Sequence, residues 1–259
     1  MLEIQAVKRA LKVLELFSVN RSELGVTEVS QELLVNKAAV ARLMFTLKEN
    51  GFLTGTEEEG RYRLGWKVAV MGSVFLSSVR LREIALPYMK TLRNDLNETV
   101  DMCVLNGNSR VCVERLESTY DVRPTGTVGK QLPLHAGAMG KLLLAYMPED
   151  KQYDYFNDIK EHQVFTPNTI TSEEGLLEEI AKIKEMGYAI SRQERVALVN
   201  AVAAPLRNHS GDVVAALGIS GLVNSFDEEK MKATMIPRVI EIAAKISREL
   251  GFGGTPEKQ

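Results

Sequence analysis

The sequence predicts an α+β protein: an N-terminal winged helix-turn-helix, a linker helix, and a C-terminal domain whose antiparallel sheet is flanked by helices. Three observations carry this reading. Residues 26–53, VTEVSQELLVNKAAVARLMFTLKENGFL, hold two capped amphipathic helices around a tight turn. An amphipathic helix precedes them and a glycine-bounded hairpin follows, which is the winged-helix order. Beyond residue 97 the apolar repeat changes to paired alternating runs, separated by turn residues and bracketed by helices.

The first helix spans residues 4–18, with Ile4, Val7, Leu11, Leu14 and Phe17 on one face and Lys8, Arg9 and Lys12 elsewhere. Thr27 is placed to cap the second, whose inward residues are Val29 and Leu33. Asn36 is placed to cap the third, with Val40, Leu43, Met44 and Leu47 on one side and Gly51 as its stop. The other side of that helix carries Ala38, Ala41, Arg42 and Phe45, a face suited to a DNA groove. A surface helix of a small bundle is the plainer alternative. The hairpin GTEEEGRYRLG is the wing, and its Arg61 and Arg63 are candidates for phosphate contacts. Glu57, Glu58 and Glu59 argue against the loop tip touching DNA.

Residues 66–82 are too apolar for an isolated helix and predict a linker helix packed on the second domain or on a partner subunit. Pro87 suits the first turn of the next helix, which runs to about Asn97. Strands are expected at 100–105, 110–116, 188–191, 198–206 and 213–220, and a helix begins near Ala138. Thr171 with Glu174, and Ser225 with Glu228, form capping boxes for two further helices. The first of these closes at Gly187; the second ends before Gly251, with a kink at Pro237. The expected domains are 1–66 (winged helix), 67–85 (linker) and 86–252, followed by a frayed tail at 253–259.

Composition sets limits on function. The 259 residues have an ordinary globular make-up and a net charge of -2, so any nucleic-acid contact must come from a local patch. Residues 1–66 hold nine Lys and Arg against nine Asp and Glu, which leaves the domain formally neutral. A shared face for Lys8, Arg9, Lys37, Arg42, Lys48, Arg61 and Arg63 would still attract phosphates. No signal-like segment and no apolar run of the ~20 residues a membrane helix needs occur, so a cytoplasmic protein is expected.

Cys103 and Cys112 flank NGNS and oppose each other across a hairpin if those four residues form its loop. A redox switch is conceivable there; two buried reduced thiols are the favoured reading. His135, His162 and His209 are scattered, so no metal site is expected, and His135 reads as a structural histidine near a turn. No P-loop, GxSxG elbow or strand-following GxGxxG occurs, so no cofactor is expected and an enzyme is the minority reading.

The segments AVKRALKVLELF, NKAAVARLMFTLKENGFL, YRLG, LPLHAGAMGKLLLA, GYAISRQE and VNAVAAPLRNHSGDVVAALGISG occur in one order along nearly the whole chain. In this the chain resembles the isocitrate-lyase-regulator (IclR) family of bacterial transcription factors. The resemblance implies a winged helix, a linker helix and a GAF-like effector domain. It also implies a homodimer or dimer of dimers (homotetramer), a palindromic double-stranded DNA operator, and a small-molecule effector, often an organic acid. The family's turn glycine and early Ser-Thr pair are replaced by Leu34, Ala38 and Ala39, so operator contacts shift toward Lys37 and Arg42, with Ala41 and Phe45 near thymine methyls. Packing of Phe45 on a neighbouring helix is the alternative.

The family's pocket maps onto Leu132, Ala138, Met139, Gly140, Ser191, Ala201, Gly218 and Ser220, with the helix-start amides at 138–140 as donors for a carboxylate. Ser191, Ala201 and Gly218 stand where organic-acid-binding members carry polar groups, which implies a larger or less polar carboxylate effector. The alternative is a sensor whose winged helix contacts protein rather than DNA.

Overall fold

The computed structural model describes residues 4–18, 21–56, 60–78, 80–158 and 163–253, and the chain forms two compact units, Met1–Val79 and Arg80–Gln259. The expectations for Glu57, Glu58, Glu59, His162 and most of the tail fall outside the described residues.

In the first unit, α1 (Gln5–Glu15), α2 (Val26–Leu33) and α3 (Lys37–Glu49) enclose a core of Val13, Phe17, Leu24, Val29, Val40, Met44, Leu47 and Leu53. The wing comprises β2 (Leu53–Gly55) and β3 (Arg61–Leu64), and β1 (Glu23–Gly25) pairs with the other edge of β3. Helix α4 (Trp66–Ser78) follows. Strand β1 escaped the sequence reading because three residues carry no periodicity.

The first helix corrects the expected face. Val13 and Phe17 turn inward, with Ala10 and Leu14 beside them, whereas Ile4, Val7 and Leu11 are 70%, 53% and 55% exposed. The single stripe expected from the sequence is therefore two adjacent ones, of which only the later meets the core. Thr27 is not a cap either. Gly25 holds that position, and the Glu28 carboxylate accepts its N–H at 2.6 Å. Asn36 caps α3 as its spacing implies, accepting from the Ala39 N–H at 2.9 Å.

In the second unit an antiparallel sheet runs β6-β5-β4-β9-β8-β7. Its strands are β4 (Thr99–Asn106), β5 (Ser109–Leu116), β6 (Gln131–Pro133), β7 (Ala189–Arg192), β8 (Val199–Arg207) and β9 (Val213–Leu222). Helix α5 (Arg80–Leu96) packs with α10 (Ile236–Glu249), and α10 lies on β8. Helix α6 (Ala138–Ala145) lies against β8 and β9, and it contacts α8 (Glu173–Met186); α7 (Glu149–Asp158) stands between these two in sequence.

Several boundaries differ from the expected ones. Pro87 lies within α5, which starts at Arg80 and buries Leu81, Ala85, Met89 and Leu92, so neither Arg82 nor Pro87 marks a helix end. The cap of α8 is Ser172, one residue after Thr171; its hydroxyl accepts from Gly175 N–H at 3.1 Å, and Gly187 closes the helix at φ 76. Asp227, not Ser225, caps the short α9 (Glu228–Lys230). A π-helical turn, Met231–Met235, then leads to Pro237 at the start of α10, where a missing N–H costs little.

Helix α6 is tied down by charge. The buried Lys141 ammonium reaches Glu179 of α8 at 2.5 Å and Glu194 at 2.7 Å, while the other oxygen of Glu194 accepts from the Gly137 N–H at 3.2 Å. Glu194 therefore joins the loop after β7 to the start of α6.

Two stability predictions follow. Leu34 occupies the helix-turn-helix turn at φ 53 and is 92% exposed. Its side chain has no burial to offset the left-handed conformation, so Leu34→Gly should stabilise the first unit by about 0.5–1 kcal/mol in chemical denaturation. A destabilised variant would contradict this. Lys141→Met strands two carboxylates, one buried and one largely so, and should cost about 3 kcal/mol in urea unfolding of the second unit. A loss below about 1 kcal/mol would show that the cluster does not anchor α6.

Candidate effector pocket and DNA-facing helix

A pocket of about 720 Å³, counting its open mouth, lies where the start of α6 meets the sheet. Its free interior is only about 70 Å³. Leu132, Ala138, Met139, Ser191, Ala201 and Ser220 line it together. Gly140 and Gly218 do not. A Cβ at Gly140 would sit 2.6 Å from the Leu134 carbonyl oxygen, so this glycine lets α6 close onto the β6 end. A Cβ at Gly218 would lie 2.7 Å from Met139 Cγ, so the Met139 side chain occupies the space a serine would need.

The rest of the lining was not assigned to this site from the sequence, and it reverses the expectation of a less polar site. Asp101, Arg110, Arg115 and Arg195 all face the cavity, with Cys103, Cys112 and Lys130. The register explains how. Met102 pairs with Glu114 and Cys103 with Cys112, so Val113 is an extra residue that interrupts the alternation of β5. Arg110 and Cys112 then share a face with Arg115, although 112 and 115 are three apart. Simple alternation would have put Arg115 on the opposite face.

Arg115 donates to both oxygens of Asp101, at 2.9 and 3.0 Å, and to the Pro124 carbonyl at 2.5 Å. Burial raises the Asp101 carboxyl above its usual range, against the opposing pull of Arg115 and Arg110. Arg110 is only 3% exposed, its Nη1 lies 3.9 Å from Cys103 Sγ, and its Nε has no hydrogen-bond partner. Burial and then the nearby Arg110 charge lower the Arg195 pKa. Asp101 thus offsets one guanidinium and leaves two more. The cavity is a cationic site with an unsatisfied buried donor, suited to an anion.

One residue before the expected amide donors at 138–140, the start of α6 is already engaged. Its Gly137 amide is already taken by the Glu194 carboxylate, which also offsets the positive end of the helix dipole. Gly137 sits at φ 88, and a Cβ there would approach Arg110 Nη2 to 3.3 Å. The His135 ring meets a backbone group, with Nε2 2.9 Å from the Gln163 carbonyl, and the His135 backbone N–H donates to the Tyr155 hydroxyl at 3.1 Å. Among the described residues no cluster of His, Cys, Asp or Glu could hold a metal ion.

On α3, Lys37, Ala38 and Arg42 are exposed, and Ala39 and Ala41 half-buried. Phe45 is 57% exposed, so it does not pack into the unit as a core residue. Lys8, Arg9 and Arg63 are also exposed. Arg61 differs: its guanidinium donates to the Glu23 carbonyl at 3.0 Å and lies 3.5 Å from Glu28, bracing the wing against α2.

The chain matches known proteins over nearly its whole length. Residues 6–57 match the IclR helix-turn-helix domain and residues 73–248 the bacterial transcriptional regulator IclR C-terminal domain. It is 31% identical to the HTH-type transcriptional regulator XynR of Escherichia coli strain K12, covering 96% of this chain and 98% of that one. A crystal structure of an IclR homolog from Microbacterium hydrocarbonoxydans, complexed with 4-hydroxybenzoate, superposes with TM-score 0.83 at 27% identity, covering 95% and 98% of the two chains. The IclR of Thermotoga maritima superposes with TM-score 0.75 at 29% identity, covering 96% and 100%. The chain belongs to the IclR family of bacterial transcriptional regulators, winged-helix DNA-binding proteins controlled through a small-molecule site in the C-terminal domain.

Proposed function

We propose that this regulator binds a palindromic operator as a homodimer or dimer of dimers in the cytoplasm, and that a small carboxylate in the cationic pocket sets its operator affinity. The observation that carries the effector class is the excess of guanidinium over carboxylate, with a buried Arg110 Nε lacking any acceptor. Arg110 and Arg195 hold the carboxylate, Ser191 and Ser220 offer hydroxyls, and Leu132, Ala138, Met139 and Ala201 cover the apolar part. With about 70 Å³ free, a ligand enters as flexible side chains give way, and Met139 suits that part. The bound 4-hydroxybenzoate of the Microbacterium homolog supports a compact acid.

On DNA, Arg42 reads a base and Lys37 a phosphate, while Ala38, Ala39 and Ala41 allow close approach and Phe45 meets thymine methyls. Lys8, Arg9 and Arg63 add phosphate contacts; Arg61 shapes the wing that presents them. A second copy covers the exposed Ile4, Val7 and Leu11 of α1 and the exposed Trp66 and Met71 of α4. The pocket binds its acid without turning it over, so the protein acts as a regulator and not an enzyme.

Arg42→Ala should weaken specific operator binding by about 1–3 kcal/mol in gel shifts, and unchanged binding would refute its base contact. In thermal-shift screens, carboxylates of benzoate size should raise the melting temperature of the wild type and not of Arg110→Gln, while the matching amides do nothing. A panel without any stabilising acid, or equal shifts in the variant, would overturn the site.

A further inference from the structure

The two cysteines face the same pocket, and the hairpin places them for chemistry on each other. The turn is the two residues Gly107 and Asn108, shorter than the four expected, with Asn106 opposite Ser109, so Cys103 still pairs directly with Cys112. The backbone of Cys112 turns away from β4: its carbonyl accepts from Gly129 N–H at 2.7 Å and its N–H donates to the Lys130 carbonyl at 3.4 Å. The two cysteines are therefore a non-hydrogen-bonded pair, the type in which Cα atoms approach to about 4.5 Å and side chains lie closest. The spacing ideal for a pair of that type falls within the ~4.4–6.8 Å a disulfide spans.

The surroundings differ at the two sulfurs. Cys103 faces the Arg110 guanidinium, with Nη1 at 3.9 Å. Cys112 lies 3.7 Å from an Asp101 carboxylate oxygen and 3.4 Å from the Glu114 carbonyl. Both are free thiols, buried in the unit yet lining the open pocket.

We propose that Cys103 and Cys112 form a reversible dithiol–disulfide switch, oxidised inside the pocket by a small peroxide, with Cys103 as the attacking sulfur and Cys112 as the resolving one. The Cys103 thiolate attacks one peroxide oxygen and the O–O bond breaks. The leaving hydroxide takes the proton released by the Cys103 thiol and departs as water, while Cys103 becomes a sulfenic acid. Cys112 then attacks that sulfur and the S–O bond breaks. The second hydroxide leaves as water with the Cys112 proton, for which Asp101 is the nearest carboxylate. Two thiols and one peroxide give one disulfide and two waters.

The assignment of roles agrees with the thiols' acidities: the hydrogen bond from Cys112 lowers the Cys103 pKa, and the same bond, with burial, raises that of Cys112. Disulfide formation also ends the thiolate character of the sulfur beside Arg110 and takes away the Cys112 thiol proton that faces Asp101, which links the redox state to the cationic end of the pocket. The switch stands independently of the ligand class assigned above.

The test treats full-length protein with stoichiometric hydrogen peroxide, quenches, and reads intact mass and tryptic peptides. Arg110 lies between the cysteines, so trypsin separates them unless a disulfide joins the peptides. Wild type should lose two hydrogens, yield the Cys103–Cys112 linked pair, and recover both thiols with dithiothreitol. Cys112→Ser should stop at a sulfenic acid on Cys103 that dimedone traps, and Cys103→Ser should oxidise at least about tenfold more slowly. Two alkylatable thiols remaining in treated wild type, or only irreversible sulfinic acid, would overturn the switch. So would equal oxidation rates in the two single variants.

Discussion

One extra residue in β5 decides what the C-terminal sheet presents to its ligand. Val113 interrupts the alternation between the Met102 and Cys103 pairings, and so Arg115 turns to the face already carrying Arg110 and Cys112. There it meets Asp101 through two short hydrogen bonds. A buried carboxylate without that partner would be costly, and so would a buried guanidinium without an acceptor. The bulge therefore makes it possible to concentrate charge within an otherwise small-residue sheet of Ala201, Ala203, Ala216 and Gly218. Arg110 and Arg195 remain as the unbalanced part, which suits the proposed anion.

The start of α6 is held by a second set of charges. Lys141 bridges Glu179 and Glu194, and Glu194 in turn occupies the Gly137 amide. Arg195, which lines the pocket, follows Glu194 directly in the chain and so adjoins the residue that fixes the helix. An anion held by Arg195, as proposed, would bear on the same short segment that anchors α6.

Much of this was legible from the sequence because the relevant signals are local. The Asn36 cap, the Gly187 stop and the opposition of Cys103 and Cys112 each depend on a few neighbouring residues. Arg115 was hidden because a bulge cannot be seen in a period-2 pattern, and Arg195 sits in a loop with no pattern at all. The family resemblance drew attention to Ser191, Ala201 and Gly218, where polarity is lost, but the compensating charge stands on other strands. The face of α1 was misread for a different reason: Ile4, Val7 and Leu11 are apolar, yet no described residue of their own unit covers them. Leu34 shows a third limit, since its left-handed backbone follows from the turn it occupies and not from its own preference.

Thermodynamic coupling between the pocket and the operator surface is tested by measuring operator affinity with and without a saturating benzoate-class acid shown by calorimetry to bind. The expected change is at least about fivefold, mirrored by an equal change in acid affinity when operator is bound, since coupling between two sites is reciprocal. Identical operator affinity for the free and acid-saturated protein would contradict it.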